Sequence, residues 1–379
     1  MRSPRLSIRV WHVCATLIAL SVLVAACGNK TSSTPAQVVA GLHVPNGFSL
    51  TIVAQGLQSP RFIAFGPNGA LFIAERGSGN VLALSDPTKA GTPIVVASGL
   101  HDPTSLSFDG HDLYVGEANQ VTQLTIGSDL HATASQVVIH NLPTGGSHTT
   151  RTVLVGTDGM LYVAIGSTCN DCIETDTRRA TIMQFARDGS GGRIYAYGLR
   201  NSVGLAINPW NGALWATNNG RDNLGDNVPP EVINTIHDGG NYGWPVCHAG
   251  DIVDPELGKP NSCVDVTAPV IKMQAHSAPL ALAFYQRGPF PDSYHGAFVA
   301  FHGSWNRSVP TGYKVVFIPL DARGNPTGPT QDFITGWLQP DGSATQKPVG
   351  LAVSADGALY VSTDQGARST VSPRQANDH

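Results

Sequence analysis

The sequence has little charge and almost no helical periodicity. Only 13% of its residues are charged, and no amphipathic run is long enough to build a major helical domain. The net charge of −4 gives no reason to expect nucleic acid as a partner. No CxxCH motif occurs, so the chain carries no c-type haem of its own. Its one long apolar run, residues 11–26, is short for a membrane span.

What is present points to many short strands joined by turns. The chain holds 42 Gly and 26 Pro, and 41% of it is apolar. One unit recurs: a proline or small polar residue, an alternating strand, a turn with Gly, then a second apolar strand. Copies read PRFIAFGPNGALFIA (60–74), PTSLSFDGHDLYVG (103–116), TVLVGTDGMLYVA (152–164), VGLAINPWNGALWA (203–216) and VGLAVSADGALYVS (349–362). A looser copy joins LALAFY (280–285) to GAFVAF (296–301). The Asn-Gly and Asp-Gly pairs are strong hairpin signals. Leu71, Leu113 and Leu161 open successive second strands at spacings of 42 and 48 residues, near the period of a propeller blade. Later spacings are longer, and such insertions map to loops on one face. Six units predict an all-β, six-bladed β-propeller. Residues 47–53 are expected to form the outer strand of the last blade and close the ring. The polar tail after Asp364 offers no strand, so that blade is expected to be one strand short.

The N-terminus reads as an address. Arg2, Arg5 and Arg9 precede the apolar run, and LVAAC ends at Cys27. This order is that of a lipoprotein signal peptide spanning 1–27, with Cys27 lipidated; an uncleaved anchor is the alternative. Residues 28–43 read as a polar tether and 44–379 as the propeller. The expected location is outside the cytoplasm, held to a bacterial membrane by the lipid alone. Four cysteines then remain, and in an exported chain they suggest two disulfides. Cys169–Cys172 with Cys247–Cys263 is the simplest of three pairings. A metal site at Cys169 and Cys172 is the alternative.

Polar residues flank the repeated strands, where side chains point into a propeller's central depression. His148 precedes the third unit, and an imidazole there fits a general base; His101 holds the equivalent place in the second. Arg200 and Asn201 precede the fourth strand and offer a planar cation beside an amide, or a structural bridge between blades. The loop 218–227 (NNGRDNLGDN) is rich in oxygen donors suited to a hard cation, although it lacks the final Glu of an EF-hand and its residues also simply make turns. Trp305 offers a flat face and Arg307 a cation; Lys347 adds another before the sixth unit's strand. Together these residues describe a pocket for a small, flat, multiply anionic ligand beside a metal ion.

The stretches GLRNSVGLA (198–206), EVINTI (231–236), GGNYGWP (239–245), FHGSWNRS (301–308) and GYKV (312–315) resemble the soluble PQQ-dependent sugar dehydrogenases. The similarity runs from about residue 44 to 364 and is strongest toward the sorbosone and pyranose dehydrogenase branch. It implies pyrroloquinoline quinone (PQQ) and calcium as cofactors, an aldose-like sugar or related alcohol as substrate, and an external electron acceptor. By motif position it implies His148 as the base, Arg200, Asn201, Arg307 and Lys347 around the quinone, and the Gly220 and Arg221 carbonyls on the ion. Two departures stand out. Ser167 and a Cys-x-x-Cys insertion replace the acidic residue of glucose-oxidising members, and Lys347 replaces an Arg. A calcium-dependent lactonase-like hydrolase, or a non-catalytic propeller that binds carbohydrate or a partner, are the competing readings.

Overall fold

The computed structural model describes residues 6–12, 39 and 41–365. Among these there is no α-helix, only a short 3-10 turn at Asp292–Tyr294, and no helix long and apolar enough to cross a membrane. The chain folds as antiparallel sheets. The first orders Pro60–Phe65, Leu71–Glu75, Asn80–Leu84 and Ile94–Ala97 from inside outward. The second orders Ser105–Asp109, Asp112–Gly116, Val121–Ile126 and Ala132–Ile139. The third runs Arg151–Val155, Leu161–Ile165, Thr181–Phe185 and Arg193–Tyr197, with Gly240–Asn241 added in parallel. The fourth holds Leu205–Ile207, Leu214–Asn218, Glu231–Ile236 and Ile271–Met273. The fifth holds Pro279–Tyr285, Gly296–Phe301, Lys314–Pro319 and Gln331–Ile334. A separate ribbon pairs Cys247–His248 with Ile252–Val253.

The closing sheet departs from expectation in one strand. Gln346–Val353 and Leu359–Gln365 form its inner pair, and Phe48–Gln55 is outermost as expected. Between them lies Leu6–His12, from the segment read as a leader, paired to both neighbours. The sheet therefore has four strands among the described residues, the N-terminal segment supplying one of them. Cys27 lies outside the described residues.

The first strands of successive sheets contact one another in a cycle that returns from Gln346–Val353 to Pro60–Phe65. The fold is thus an all-β propeller. Small residues let the inner strands approach. A Cβ on Gly204 would lie 2.2 Å from the Leu280 carbonyl, and one on Gly350 2.7 Å from that of Arg61. The two VGLA motifs place glycine where the next sheet's backbone passes. Hydroxyls stitch the same seams: Thr152 Oγ1 donates to Val203 O at 2.6 Å and Thr217 Oγ1 to Leu280 O at 3.0 Å. Aromatic edges fill the space farther out, as between Phe72 and Phe108 at 4.9 Å and Trp215 and Phe284 at 5.2 Å. Both disulfides form with the simple pairing, Cys169–Cys172 and Cys247–Cys263, which removes the thiolates that a metal at Cys169 and Cys172 would need.

Candidate active site

The starts of the inner strands and the ends of their hairpin partners meet at one end of the ring. There a cavity of about 420 Å³ opens, lined among others by His148, Asn170, Arg200, Asn201, Gly220, Asp222, Glu231, His276, Trp305 and Asn306. His148, Arg200, Asn201 and Gly220 are thus brought together as the sequence suggested. Arg307, Lys347, Arg221 and His101 do not line it.

His148 sits on a braced loop. Buried Arg151 donates to the His148, Thr150 and Pro143 carbonyls, and buried Arg179 to those of Gly166, Thr144 and Gly145. His148 Nδ1 lies 3.0 Å from the Ser167 carbonyl and 2.9 Å from its hydroxyl. A carbonyl only accepts, so Nδ1 carries the proton and Nε2 is the free lone pair. Burial pushes the imidazole down from 6.5 to about 3, helped by the charges of Arg200, Arg179 and Arg151 and opposed by the Ser167 hydrogen bond. The ring is therefore neutral at physiological pH. Gly166 lets it pack: a Cβ there would meet His148 Cβ at 2.6 Å and Asn201 Oδ1 at 2.7 Å.

Arg200 is a fixed cation, buried at 4% exposure. Its Nε donates to Asn170 O at 3.0 Å, Nη1 to Asn219 O at 3.3 Å, and Nη2 to Asn170 Oδ1 and Asp222 Oδ2 at 2.8 Å each. Four of its five N–H groups are thus held by protein. Burial lowers its pKa, while Asp222 and Glu231 act against that. Asn201 Nδ2 donates to Asn219 Oδ1 at 3.1 Å, which orients its own oxygen.

Around Gly220 the donors are oxygens. Glu231, fully buried, takes the Gly220 N–H at 2.7 Å and the Ala278 N–H at 3.1 Å, tying two loops together. Burial lifts its carboxyl to about 7, with those two N–H bonds and Arg200 opposing. Asn306 Nδ2 donates to Asp222 Oδ1 at 2.8 Å, and Asn306 Oδ1 is a buried acceptor without a partner. Arg221 turns its side chain away from the cavity. Its guanidinium pairs with Asp171 at 2.7 Å, with Asp254 and with Glu256, and Asp254 also meets His248 at 2.8 Å.

The remaining expected residues stand nearby. Arg307 donates to Ala275 O and Asn227 Oδ1 at 3.4 Å each. Lys347 lies with Nζ 5.8 Å from the Tyr313 ring centroid, and Asp364 joins Arg61 at 3.1 Å and His302 at 3.0 Å. Gly303, next to His302, and Asn306, next to Arg307, are part of the cavity wall. His101 is exposed, with Nδ1 3.1 Å from Asn119 Oδ1.

Sequence reasoning missed Asn170, Asp222, Glu231, His276 and Asn306 as lining residues. Asp222 lay inside the flagged oxygen-rich loop, Glu231 in EVINTI, and Asn306 between the flagged Trp305 and Arg307. Asn170 was hidden inside the Cys-x-x-Cys insertion, read only for its cysteines. His276 carried no signal beyond being a histidine.

Comparison with known proteins agrees with this architecture. A family model described as TrAA12-like matches residues 42–257 and 254–370. An uncharacterised protein of Borreliella burgdorferi is 30% identical, over 87% of this chain and 90% of its own length. A pyrroloquinoline quinone-dependent sugar dehydrogenase of Hypocrea jecorina is 27% identical, over 92% of each chain. Among solved structures, the holo form of the pyranose dehydrogenase PQQ domain from Coprinopsis cinerea superposes with a TM-score of 0.74 at 25% identity, covering 85% of this chain and 94% of that one. The chain belongs to the TrAA12-like family of soluble PQQ-dependent sugar dehydrogenases.

Proposed function

We propose that this protein oxidises an aldose-like sugar, or a related alcohol, with PQQ and calcium in the cavity at the end of a six-bladed ring, and passes the electrons to an external acceptor. One observation carries the reading. A neutral imidazole with a free Nε2 shares a cavity with a fixed guanidinium and a group of oxygen donors, in a chain of this family. The six mutually contacting inner strands support the blade count.

The residues present fit both cofactors. Carbonyl and amide oxygens suit calcium, and the unpartnered Asn306 Oδ1 marks a place where a cation would satisfy a buried acceptor. The Gly220 and Arg221 carbonyls are the backbone ligands of this reading. Arg200 and Asn201 would hold the quinone. Because Arg200 has few free donors, a second cation would meet the quinone's carboxylates, and Lys347 is that cation in this reading. Arg307 braces the loop that carries Trp305 and Asn306. When bound, the quinone supplies the hydride acceptor and calcium polarises its carbonyl. His148 Nε2 takes the hydroxyl proton of the sugar. Ser167 holds the imidazole in the tautomer that keeps this nitrogen free. Trp305, 74% exposed at the mouth, offers an apolar face to a sugar ring.

The hydrolase reading needs carboxylates free to bind metal and activate water. The two that line the cavity are committed elsewhere, Asp222 to Arg200 and Glu231 to backbone N–H groups. Reconstitution with PQQ and calcium, followed by sugar-dependent dye reduction, tests the proposal. Lactone hydrolysis without dye reduction would overturn it.

We further propose export as a lipoprotein cleaved before Cys27. In that form Leu6–His12 is removed, and the last sheet keeps Phe48–Gln55 with an open place beside Leu359–Gln365.

A further inference from the structure

Just after Ser167 the chain makes a four-residue turn closed by Cys169–Cys172. Residues 167–171 each bond to the site or its surroundings. The Ser167 hydroxyl donates to Cys169 O at 2.6 Å, which leaves its lone pairs toward His148 Nδ1. Thr168 O accepts the N–H of Ser147, the neighbour of His148, at 2.7 Å. Asn170 is the hub. Its Oδ1 accepts from Arg200 Nη2 and from Asp222 N at 2.8 Å each, and its Nδ2 donates to Asp222 O at 3.2 Å. Its carbonyl accepts from Arg200 Nε at 3.0 Å and from Trp244 Nε1 at 3.2 Å. Asp171 pairs with Arg221.

We propose that the Cys169–Cys172 turn is the positioning element of this active site, with Ser167 fixing the tautomer of His148 and Asn170 fixing Arg200 and Asp222. The proposal rests on the dehydrogenase reading for its consequences but on these contacts for its geometry. The physical reason is preorganisation. An imidazole and a guanidinium reach a productive arrangement without reorganising only if their other bonds are already made. The turn provides these bonds from neutral groups. A carboxylate at residue 167 would also hold Nδ1, but it would favour the imidazolium; a hydroxyl and a carbonyl hold the ring while leaving it neutral. The disulfide restricts the turn to the shape in which the Cys169 and Asn170 carbonyls point to these partners. The closing turn of GGNYGWP gains a role as well, since Trp244 Nε1 donates to the Asn170 carbonyl.

Three variants test this, each checked for folding by circular dichroism: Ser167→Ala, Asn170→Ala and the pair Cys169→Ser with Cys172→Ser. Two readouts are used. Nitrogen-15 NMR of histidine-labelled apoprotein reports the His148 tautomer, and absorbance titration with PQQ and calcium reports quinone affinity. Asn170→Ala should raise the quinone Kd about tenfold, from lost charge-assisted bonds around Arg200, and leave the tautomer unchanged. Ser167→Ala removes the hydroxyl but keeps the carbonyl that selects the tautomer, so it should leave the Nδ1–H form dominant and the Kd unchanged. The double serine variant, which frees the turn that carries both groups, should raise the Nε2–H fraction of His148 measurably and raise the Kd. Wild-type tautomer and wild-type Kd in the folded double serine variant would overturn the proposal. Failure of the unmodified protein to bind quinone would sink the dehydrogenase reading instead, while the tautomer measurement still reports on the turn.

Discussion

His148 donates its Nδ1 proton to Ser167, whose carbonyl lies 3.0 Å away and whose hydroxyl lies 2.9 Å away. This contact decides both the tautomer and the charge of the candidate base. No carboxylate joins the pair, and three arginines raise the cost of an imidazolium. On folding the group falls from 6.5 to about 3, so between those values the unfolded chain binds a proton that the native chain does not. The stabilisation is whole above about pH 6.5 and is lost as pH falls toward 3. Replacing His148 by Gln should remove this part of the acid sensitivity, on the order of 2–4 kcal/mol at the acid end. Urea unfolding from pH 7 to pH 4 checks it; parallel pH profiles for the two proteins would contradict it.

Lys347 and Arg307 are both expected at the quinone, and neither lines the cavity. Lys347 stands over the Tyr313 ring, whereas Arg307 is engaged with the Ala275 carbonyl and Asn227. Lys347→Ala should weaken quinone binding by roughly tenfold or more, the scale of one charge-assisted contact. Arg307→Ala should change it by no more than about twofold. Equilibrium titration of the two variants decides, and the reverse order would return Arg307 to the quinone.

Arg221 was expected for its carbonyl, yet its side chain is the centre of a buried ion network. Removing it leaves nearly buried Asp171 without its cation and fully buried Asp254 with only His248 as a charged partner. Arg221→Met should cost about 3–5 kcal/mol, because an uncompensated buried charge is worse than no pair at all. Denaturant midpoints measure this. A loss below about 1 kcal/mol would show that the network relaxes without its cation.

Leu6–His12 fills the closing sheet, while the lipoprotein reading removes it. A mature native protein cannot carry both features. The lipoprotein reading predicts an intact mass that begins at Cys27 with its lipid. A native chain that retains residues 6–12 would contradict that reading and leave the four-stranded sheet as the working form.

The propeller was legible because its signals are local. Asn68-Gly69, Asp158-Gly159 and Asn211-Gly212 each turn a hairpin with the Gly at positive φ, and the side chains of Asn68, Asp158 and Asn211 accept the N–H two residues on. The site was legible only in part, because its members come from different sheets. His148, Arg200 and Asn201 were found by their place before a strand. Asn170 and Glu231 act through backbone groups of distant loops, and no periodicity reports that. The role of Leu6–His12 was hidden for a related reason: its apolar, basic pattern fits a strand as well as a leader.

The central claim is that His148 is the base and not a cofactor ligand. The most direct test compares wild type and His148→Gln after reconstitution with PQQ and calcium, recording quinone absorbance and sugar-dependent dye reduction in the same samples. Equal quinone binding and a loss of turnover of at least about 100-fold are expected in the variant. Wild-type turnover in His148→Gln, or loss of quinone binding in step with activity, would contradict it.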